Sequence, residues 1–176
     1  MTSAASSASG AIAFTDIVGF TEFTAARGDA EAVALLDHQE RLVRAALPAG
    51  ARIVKELGDG LLLWLPEATS ALRACLDLLD RFADDAEASA LWVRIGMHWG
   101  SPTRRGDDLV GHDVNLAARI VDVAGPGELL LSAPIRAFLD DAECGLRLDE
   151  LGPVVMRGIP EPVRLYRAAR VREPAS

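Results

Sequence analysis

The spacing of hydrophobic residues changes between strand-like and helix-like several times along the chain, and each change predicts an element. Residues 11–18 (AIAFTDIV) form a short apolar run that is typical of a buried strand. In the segment 28–50, apolar residues recur three and four positions apart, which predicts one face of a helix. That face consists of Val33, Leu36, Val43 and Leu47. We expect Asp29 to cap the start of this helix, and Pro48 with Gly50 to end it.

The middle of the chain predicts a hairpin, a second helix and a further strand. Residues 51–65 indicate two strands around a Gly-Asp-Gly turn, because β-branched and apolar residues flank glycines that tolerate positive φ. Helical spacing returns in 67–88. The apolar face of this helix consists of Ala71, Leu72, Cys75, Leu78, Leu79 and Phe82. Residues 91–100 then alternate as a strand.

The order of these elements predicts the fold class. The elements follow the order strand, helix, strand, strand, helix, strand. This order matches the split βαβ or ferredoxin-like arrangement, an antiparallel sheet with helices on one face. We therefore expect an α+β fold with a ferredoxin-like βαββαβ core. A polar loop at 101–111 is expected to lead into a helix over 112–124, and short strands with a small helix near 134–139 follow. One domain at 11–170 is expected between two tails, a disordered one at 1–10 and a short one at 171–176.

Composition and charge narrow the classes of function. The 176 residues are 50% hydrophobic and 25% charged, which suffices for one globular domain with its own core. The 18 Lys and Arg residues against 26 Asp and Glu give a net charge of -8, which disfavours attraction to nucleic acid or anionic membranes. A ligand that bears phosphate must then be held by local groups or by metal.

The cysteines and the apolar runs indicate the cellular environment. Cys75 and Cys144 form no metal-ligand or redox spacing, so we expect two reduced thiols. The longest apolar run, LLLWL at 61–65, is far shorter than the roughly 18 residues of a membrane helix. The opening residues lack the basic and apolar regions of a signal peptide. We expect a soluble cytoplasmic protein.

Two carboxylates lie at the ends of predicted strands. Asp16 closes the first strand and Asp59 sits in the hairpin turn, and in a ferredoxin-like sheet these elements are neighbours. Converging carboxylates without histidine or cysteine partners suit hard divalent cations such as Mg²⁺ or Mn²⁺, which in turn suit a nucleotide triphosphate. A second interpretation stays open, in which Asp16 caps the short helix that follows and Asp59 only shapes the turn.

A polar pair lies on the helix predicted after the loop. Asn115 and Arg119 are four residues apart, so they project from the same face and can contact one ligand. The planar donor fork of arginine matches phosphate oxygens. The alternative is an exposed asparagine and an arginine that pairs with Asp122 or Glu128.

Lys55 and Asp108 supply one donor and one acceptor near these groups. Lys55 precedes Asp59 in the hairpin, and Asp108 precedes Asn115 in the polar loop. If they converge, the lysine can donate to a ring nitrogen of a nucleobase and the aspartate can accept from an exocyclic amine. Otherwise Lys55 is a solvated strand lysine, and Asp108 is a loop carboxylate beside Asp107.

From about residue 11 to residue 170 the chain resembles the catalytic domain of class III nucleotidyl cyclases, and most of all a bacterial adenylate cyclase. FTDIVGFT resembles the first metal-binding segment of that family, and KELGDG resembles its second metal aspartate with the preceding base-reading lysine. DLVGHDVNLAAR resembles the segment with the base-reading aspartate, the asparagine and the arginine. The three segments occur in the order and spacing of the family, which makes the resemblance specific.

The resemblance implies a role for each matching residue. Asp16 and Asp59 would hold two divalent cations, Mg²⁺ or Mn²⁺, with the backbone carbonyl of Ile17 as a further ligand. Lys55 and Asp108 would select adenine. In guanylate cyclases the lysine position is typically a glutamate, so the resemblance implies ATP as the substrate.

The remaining residues would act on the ribose and the phosphates. Asn115 would orient the ribose, and Arg119 would stabilise transition-state charge on the phosphates. Gly19 and Phe20 would let the backbone approach the triphosphate, and Arg157 is the basic residue nearest to a triphosphate-binding lysine of many relatives. The implied reaction is attack of the ribose 3′-hydroxyl on the α-phosphate, which gives 3′,5′-cyclic AMP and pyrophosphate without a side-chain general base.

The family also implies a dimer. Its sites lie between two catalytic domains arranged head to tail, with the metal aspartates on one and the base-reading, Asn and Arg residues on the other. This chain carries both sets, which implies a symmetric homodimer with two equivalent shared sites. The loop before Asp108 is shorter than the arm that supports the dimer in many relatives.

Three rival functions remain. A guanylate cyclase, or one of mixed specificity, is disfavoured by Lys55. A catalytically silent module that binds nucleotide or only dimerises would usually have lost a metal aspartate or the arginine, and this sequence has kept them. A diguanylate cyclase would carry paired glycines followed by acidic residues and phenylalanine, which ELGDGLLLWL lacks.

Overall fold

The order of strands and helices along the chain follows the predicted one. The computed structural model describes residues 8–85, 92–139 and 145–171. The strands in these ranges are β1 (Gly10–Val18), β2 (Arg52–Leu57), β3 (Gly60–Leu65), β4 (Trp92–Gly100), β5 (Thr103–Arg105), β6 (Asp108–Val110), β7 (Leu129–Ser132), β8 (Leu146–Val154) and β9 (Val163–Arg170). The helices are α1 (Phe20–Arg27), α2 (Asp29–Ala46), α3 (Ala68–Asp84), α4 (His112–Val123) and α5 (Ala133–Arg136). The succession β1, α2, β2, β3, α3, β4 confirms the predicted βαββαβ core.

One large sheet organises the molecule. Seven strands are ordered β2-β3-β1-β4-β7-β9-β8, and β5 and β6 form a separate two-stranded ribbon. β1 pairs antiparallel with both β3 and β4, so that Thr15 lies opposite Leu61 and Asp16 lies opposite Arg94. Among the described strands only β4 and β7 pair in parallel, and the predicted antiparallel sheet is otherwise confirmed. The first strand is therefore central, with neighbours on both sides.

Both faces of this sheet are apolar, so both are covered. Alternate residues of a strand point to opposite faces. Ala11 and Ala13 pack in the cluster that includes the buried faces of α2 and α3, as the prediction of helices on one face requires. Ile12 and Phe14 instead pack with residues of α4, such as Ala117. The prediction was incomplete here, because the strand run is hydrophobic at odd and even positions alike and needs a helix on each side.

Two details of α2 were predicted wrongly. Asp29 is its first residue, the N-cap position is held by Gly28, and no side-chain hydrogen bond caps the helix. Val33 is 56% exposed, and the buried face shares only Val43 with the predicted one. That face consists of Ala32, Leu35, Gln39 and Val43. The sequence pattern missed the rest of this face because it includes a polar glutamine.

The predictions for α3, α5, Cys75 and membrane-spanning helices agree better with the structure. α3 buries five of the six residues predicted for it, and Leu79 is partly buried. α5 ends at Arg136, three residues before the predicted end of the small helix. Cys75 is a buried free thiol, as expected, whereas Cys144 lies outside the described residues. No helix in the three described ranges combines the length and apolar character needed to cross a bilayer.

The predicted polar loop at 101–111 is a small hairpin. β5 and β6 pair across a turn at Gly106 and Asp107, with Arg105 opposite Asp108. All three residues of β5 are exposed, so this strand carries no hydrophobic alternation that a sequence pattern would detect. The hairpin leads directly into α4.

Candidate active site

The central strand and the neighbouring hairpin bring two carboxylates together. Asp16 lies near the end of β1, and Asp59 lies in the turn between β2 and β3. Thr15 pairs with Leu61, so the next residue of β1 runs alongside this turn. Burial raises the pKa of Asp59 above its ordinary value, and the charge of Asp16 raises it further. The charge of Asp16 therefore acts on Asp59, and their joint role as cation ligands stays a prediction.

Arg94 is a residue of this group that the sequence analysis missed. Its Nε donates to Oδ2 of Asp16 at 2.6 Å, across the β1–β4 pair. Its Nη1 donates to the backbone carbonyls of Asp122 and Ala124 at 3.2 and 3.3 Å. The guanidinium therefore joins the first carboxylate to the end of α4. A charged residue inside an apolar strand was the available signal, but its partner is evident only once the strand order is known.

The carboxylates suit a divalent cation shared with a substrate. Asp16 and Asp59 offer hard oxygen ligands, and the carbonyl of Ile17 would be a third. Mg²⁺ typically binds through one or two carboxylates plus substrate phosphates, so a pair of acidic side chains fits such a site. In the described part of the chain no cluster of three or more His, Cys, Asp or Glu side chains is arranged for a metal. The raised pKa of Asp59 is consistent with a site that a cation would stabilise.

The turn after β1 forms the start of α1. Gly19 has φ 80° and ψ 17°, the left-handed conformation that glycine adopts without strain, and it is the N-cap residue of α1. Phe20 begins the helix and packs partly buried against the larger core cluster. Because Gly19 rather than Asp16 occupies the N-cap, the alternative role of Asp16 as a helix cap is wrong.

Lys55 and Asp108 meet in the structure. Nζ of Lys55 donates to Oδ2 of Asp108 at 2.7 Å, with about a third of each side chain exposed (36% and 37%). The hydrogen bond from Lys55 lowers the pKa of Asp108. Asp107 has a fully exposed side chain, and its backbone carbonyl accepts from Arg52 at 2.9 Å. Geometry therefore favours Asp108 over Asp107 as the partner of the lysine.

Asn115 and Arg119 lie on the solvent side of α4. Both are exposed, whereas Ala117 between them is fully buried against the sheet. Nη1 of Arg119 donates to Oδ2 of Asp122 at 2.8 Å, which is the pairing that the sequence left open as an alternative. Glu128 takes a different partner, Arg167, at 3.0 Å. The structure thus presents the predicted pair on one face, without joining it to the two carboxylates.

The last predicted residue, Arg157, follows Met156, which packs with Leu116 and Ile120 of α4. It is exposed in the connection between β8 and β9. A cleft of about 550 Å³ between α2 and α3 contains none of the predicted site residues. It is lined by Leu42, Asp77, Asp80, Arg81, Asp84 and Asp85. Of the predicted site residues, Asn115, Arg119 and Arg157 are exposed, whereas Asp16 is partly buried and Ile17 is buried.

Comparisons with known proteins show the family of the chain. The family model for the adenylate and guanylate cyclase catalytic domain matches residues 3–168. An uncharacterised protein of Mycobacterium tuberculosis is 34% identical over 157 residues, which cover 88% of this chain and 40% of that protein. A pH-sensitive adenylate cyclase of the same species is 32% identical over 161 residues, which cover 90% of this chain and 40% of that protein. This chain therefore spans less than half the length of these relatives.

Solved structures show the same fold. The adenylate cyclases of Trypanosoma brucei, solved in their monomeric state, superpose with a TM-score of 0.80 at 25% identity, over 91% of this chain and 89% of theirs. The family match covers nearly the whole sequence and includes β1 with Asp16, the β2–β3 turn with Asp59, the Lys55–Asp108 pair and α4. The chain belongs to the class III nucleotidyl cyclases, the family of adenylate and guanylate cyclase catalytic domains.

Proposed function

We propose that this chain is an adenylate cyclase domain, which converts ATP to 3′,5′-cyclic AMP and pyrophosphate. The observation that carries the choice of ATP is the 2.7 Å contact between Lys55 and Asp108. A lysine donates to a ring nitrogen of adenine, and an aspartate accepts from its exocyclic amine. Guanine presents a carbonyl oxygen where adenine has that amine, so the aspartate would face an acceptor. The relative named as an adenylate cyclase, 32% identical over 161 residues, supports the same choice.

Asp16, Asp59 and the carbonyl of Ile17 would hold the divalent cations. When bound, such cations lower the pKa of the attacking hydroxyl and neutralise charge on the leaving pyrophosphate. The protein residues position the substrate: Gly19 and Phe20 would place the backbone near the triphosphate. Arg157 is proposed as a further phosphate contact, because its guanidinium is exposed and free to reach a ligand at the surface.

The proposed step is an internal displacement at phosphorus. The ribose 3′-oxygen forms a bond to the α-phosphorus, the bond from that phosphorus to the bridging oxygen breaks, and pyrophosphate leaves. The hydroxyl proton passes to solvent. Asn115 would orient the ribose, and Arg119 would release Asp122 and place its charge on the phosphates as the transition state forms.

We propose a head-to-tail homodimer as the active state, with two equivalent sites. Asn115 and Arg119 are exposed on α4, and Arg119 pairs with Asp122 rather than with either carboxylate of its own chain. A second copy would bring its own α4 to the carboxylates of the first, and twofold symmetry would complete both sites together. An isolated chain would be inactive.

The test is cyclic nucleotide production by the purified chain from ATP and from GTP, with Mg²⁺ or Mn²⁺. Asp16→Ala serves as the inactive blank. Lys55→Ala is expected to lower kcat/KM for ATP by about 10- to 100-fold, the range for losing a hydrogen bond from a charged donor. Arg44→Ala is the matched control, because it removes an exposed positive charge from α2 at a distance from the site.

Each result leads to a different conclusion. Cyclic AMP from the wild type and none from Asp16→Ala would support the activity and its carboxylate site together. A clear preference for GTP would refute the role of Lys55. A folded dimer that makes neither product with either metal would leave a silent nucleotide-binding or dimerising module as the function.

A further inference from the structure

A buried polar network joins the sheet to the helix that carries Asn115 and Arg119. His98 lies in β4 with 5% of its surface exposed, and Ser132 of β7 is fully buried beside it. Nδ1 of His98 is 2.7 Å from Oγ of Ser132, and its Nε2 is 3.3 Å from Oδ1 of Asp113. Oδ2 of Asp113 accepts the backbone N–H of Ser101 at 2.8 Å. The network thus spans two neighbouring strands and the first turn of α4.

The chemistry of the partners fixes the direction of each hydrogen bond. A carboxylate can only accept, so Nε2 of His98 donates to Asp113, and Nδ1 then accepts from the hydroxyl of Ser132. Burial lowers the pKa of His98 against the opposing effect of Asp113, which favours the neutral ring that this pattern needs. Ser132 has no exposed surface, so the three residues do not form a hydrolytic triad that a substrate can reach.

The same end of α4 lies very close to the end of β4. A Cβ atom added to Gly100 would lie 2.3 Å from Oδ2 of Asp113, so only glycine leaves room for this carboxylate. The backbone N–H of Asn115 donates to the carbonyl of Gly111 at 3.1 Å and closes the first turn directly after Asp113. Asp113 therefore holds the first turn of α4 against β4 through hydrogen bonds, at a position two residues before Asn115 and six residues before Arg119.

We propose that Asp113 and His98 are positioning residues, which fix α4 on the sheet so that Asn115 and Arg119 stand in the geometry the reaction needs. This inference rests on the proposed cyclase activity. Neither residue contacts the substrate. A displacement of about 1 Å at a catalytic group lowers the rate by roughly 100-fold, so a helix that carries two such groups needs this kind of anchor.

The test compares substitutions at Asp113 with a control one residue away. Asp113→Ala removes both hydrogen bonds and is expected to lower kcat by about 10- to 100-fold. We expect KM for ATP to change less than about twofold, because Lys55, Asp108 and the carboxylates remain in place. His112→Ala is the control, because that side chain is exposed on the same turn and makes none of the hydrogen bonds of the network; only its charge acts on His98.

Asp113→Asn is the conservative variant. Its amide oxygen accepts from Ser101, and its amide nitrogen donates to Nε2 of His98 once the ring proton moves to Nδ1 and is donated to Ser132. We therefore expect kcat within about threefold of the wild type. If Asp113 served only general stability, we would not expect Asp113→Asn to restore kcat while KM for ATP stays unchanged in both variants. Hydrogen exchange of the Ser101 amide and of the first turn of α4 gives a readout without activity, and it should be faster in Asp113→Ala.

The outcomes separate this inference from the proposed function. A wild-type protein that makes no cyclic nucleotide refutes the activity and, with it, the purpose of the network. An active wild type whose Asp113→Ala variant keeps kcat within twofold, or keeps slow exchange at Ser101, refutes the positioning role alone. If Asp113→Ala does not fold, Ser132→Ala replaces it: this variant removes the donor to Nδ1, and an unchanged kcat would overturn the proposal.

Discussion

Gly96 lies where α4 crosses the sheet, and replacing it with alanine tests how closely α4 packs against β4. Gly96 is in β4, between Phe14 of β1 and Leu130 of β7 in the pairing. A Cβ atom there would lie 2.2 Å from the backbone N of Val121 and 2.7 Å from its Cα. The φ of Gly96 is not positive, so the residue is needed for space and not for backbone conformation. The helix touches the strand backbone at this point.

The required displacement follows from these distances. Ordinary contacts of a Cβ atom begin at 3.4 Å, so Gly96→Ala forces α4 away from the strand by about 1.2 Å at Val121. Overpacking of this kind typically costs about 1–3 kcal/mol. For a domain of this size that corresponds to a fall in the melting temperature of roughly 2–12 °C. The displaced helix carries Asn115 and Arg119, so kcat for cyclic AMP should fall by about 10- to 100-fold.

The assay measures kcat and KM for ATP together with the melting temperature. Gly125→Ala is the matched control, because this glycine also lacks positive φ and its Cβ would meet only the end of the Glu128 side chain, at 3.0 Å. That side chain can move, so the control should keep most of its activity. A Gly96→Ala protein with wild-type melting temperature and wild-type kcat would show that α4 does not rest on the strand as described.

Two further predictions concern single side chains. Asp59→Asn should abolish cyclase activity and yet raise the melting temperature at pH 7, because burial and Asp16 raise the pKa of Asp59 and thereby disfavour its charged form in the fold. Because the pKa of Asp59 is raised in the folded state, the wild type is destabilised only as pH rises through that folded-state pKa. The difference in melting temperature between variant and wild type should therefore vanish on acidification toward pH 4. A lower melting temperature for the variant at pH 7 would contradict this. Cys75 is buried with its pKa raised to about 12, so mass spectrometry should find it unmodified after native protein is treated with iodoacetamide at pH 8, and rapid alkylation would contradict the burial.

Local patterns were enough to predict most elements of the fold and several candidate residues. The apolar run of β1, the glycines around Asp59 and the periodicity of α3 are local signals, and each gave the correct element. Lys55 and Asp108 were placed together through a resemblance, and the structure brings them to 2.7 Å. Their roles stay predictions until activity is measured.

The features that were missed depend on contacts between distant parts of the chain. Arg94 pairs with a residue 78 positions away, and His98 contacts a serine 34 positions away. The β5–β6 hairpin has exposed strands without alternation, and the buried face of α2 includes Gln39, whose Nε2 lies 3.4 Å from Oγ1 of Thr15. Hydrophobic periodicity does not report on polar contacts of this kind, because the partner of each polar side chain is set by strand order.

The contact between Arg94 and Asp16 implies a thermodynamic linkage between the two ligands of the proposed site. In the free chain this carboxylate already has a counter-ion, the guanidinium at 2.6 Å. A divalent cation that bound Asp16 through Oδ2 would take the place of that counter-ion, and the positive charge of the released arginine would then be available to the anionic part of a nucleotide. Each ligand would therefore favour the binding of the other, and by reciprocity the nucleotide would raise the affinity for the cation by the same factor as the cation raises the affinity for the nucleotide. Such a domain would bind cations weakly by itself and would complete its site mainly when the nucleotide arrives.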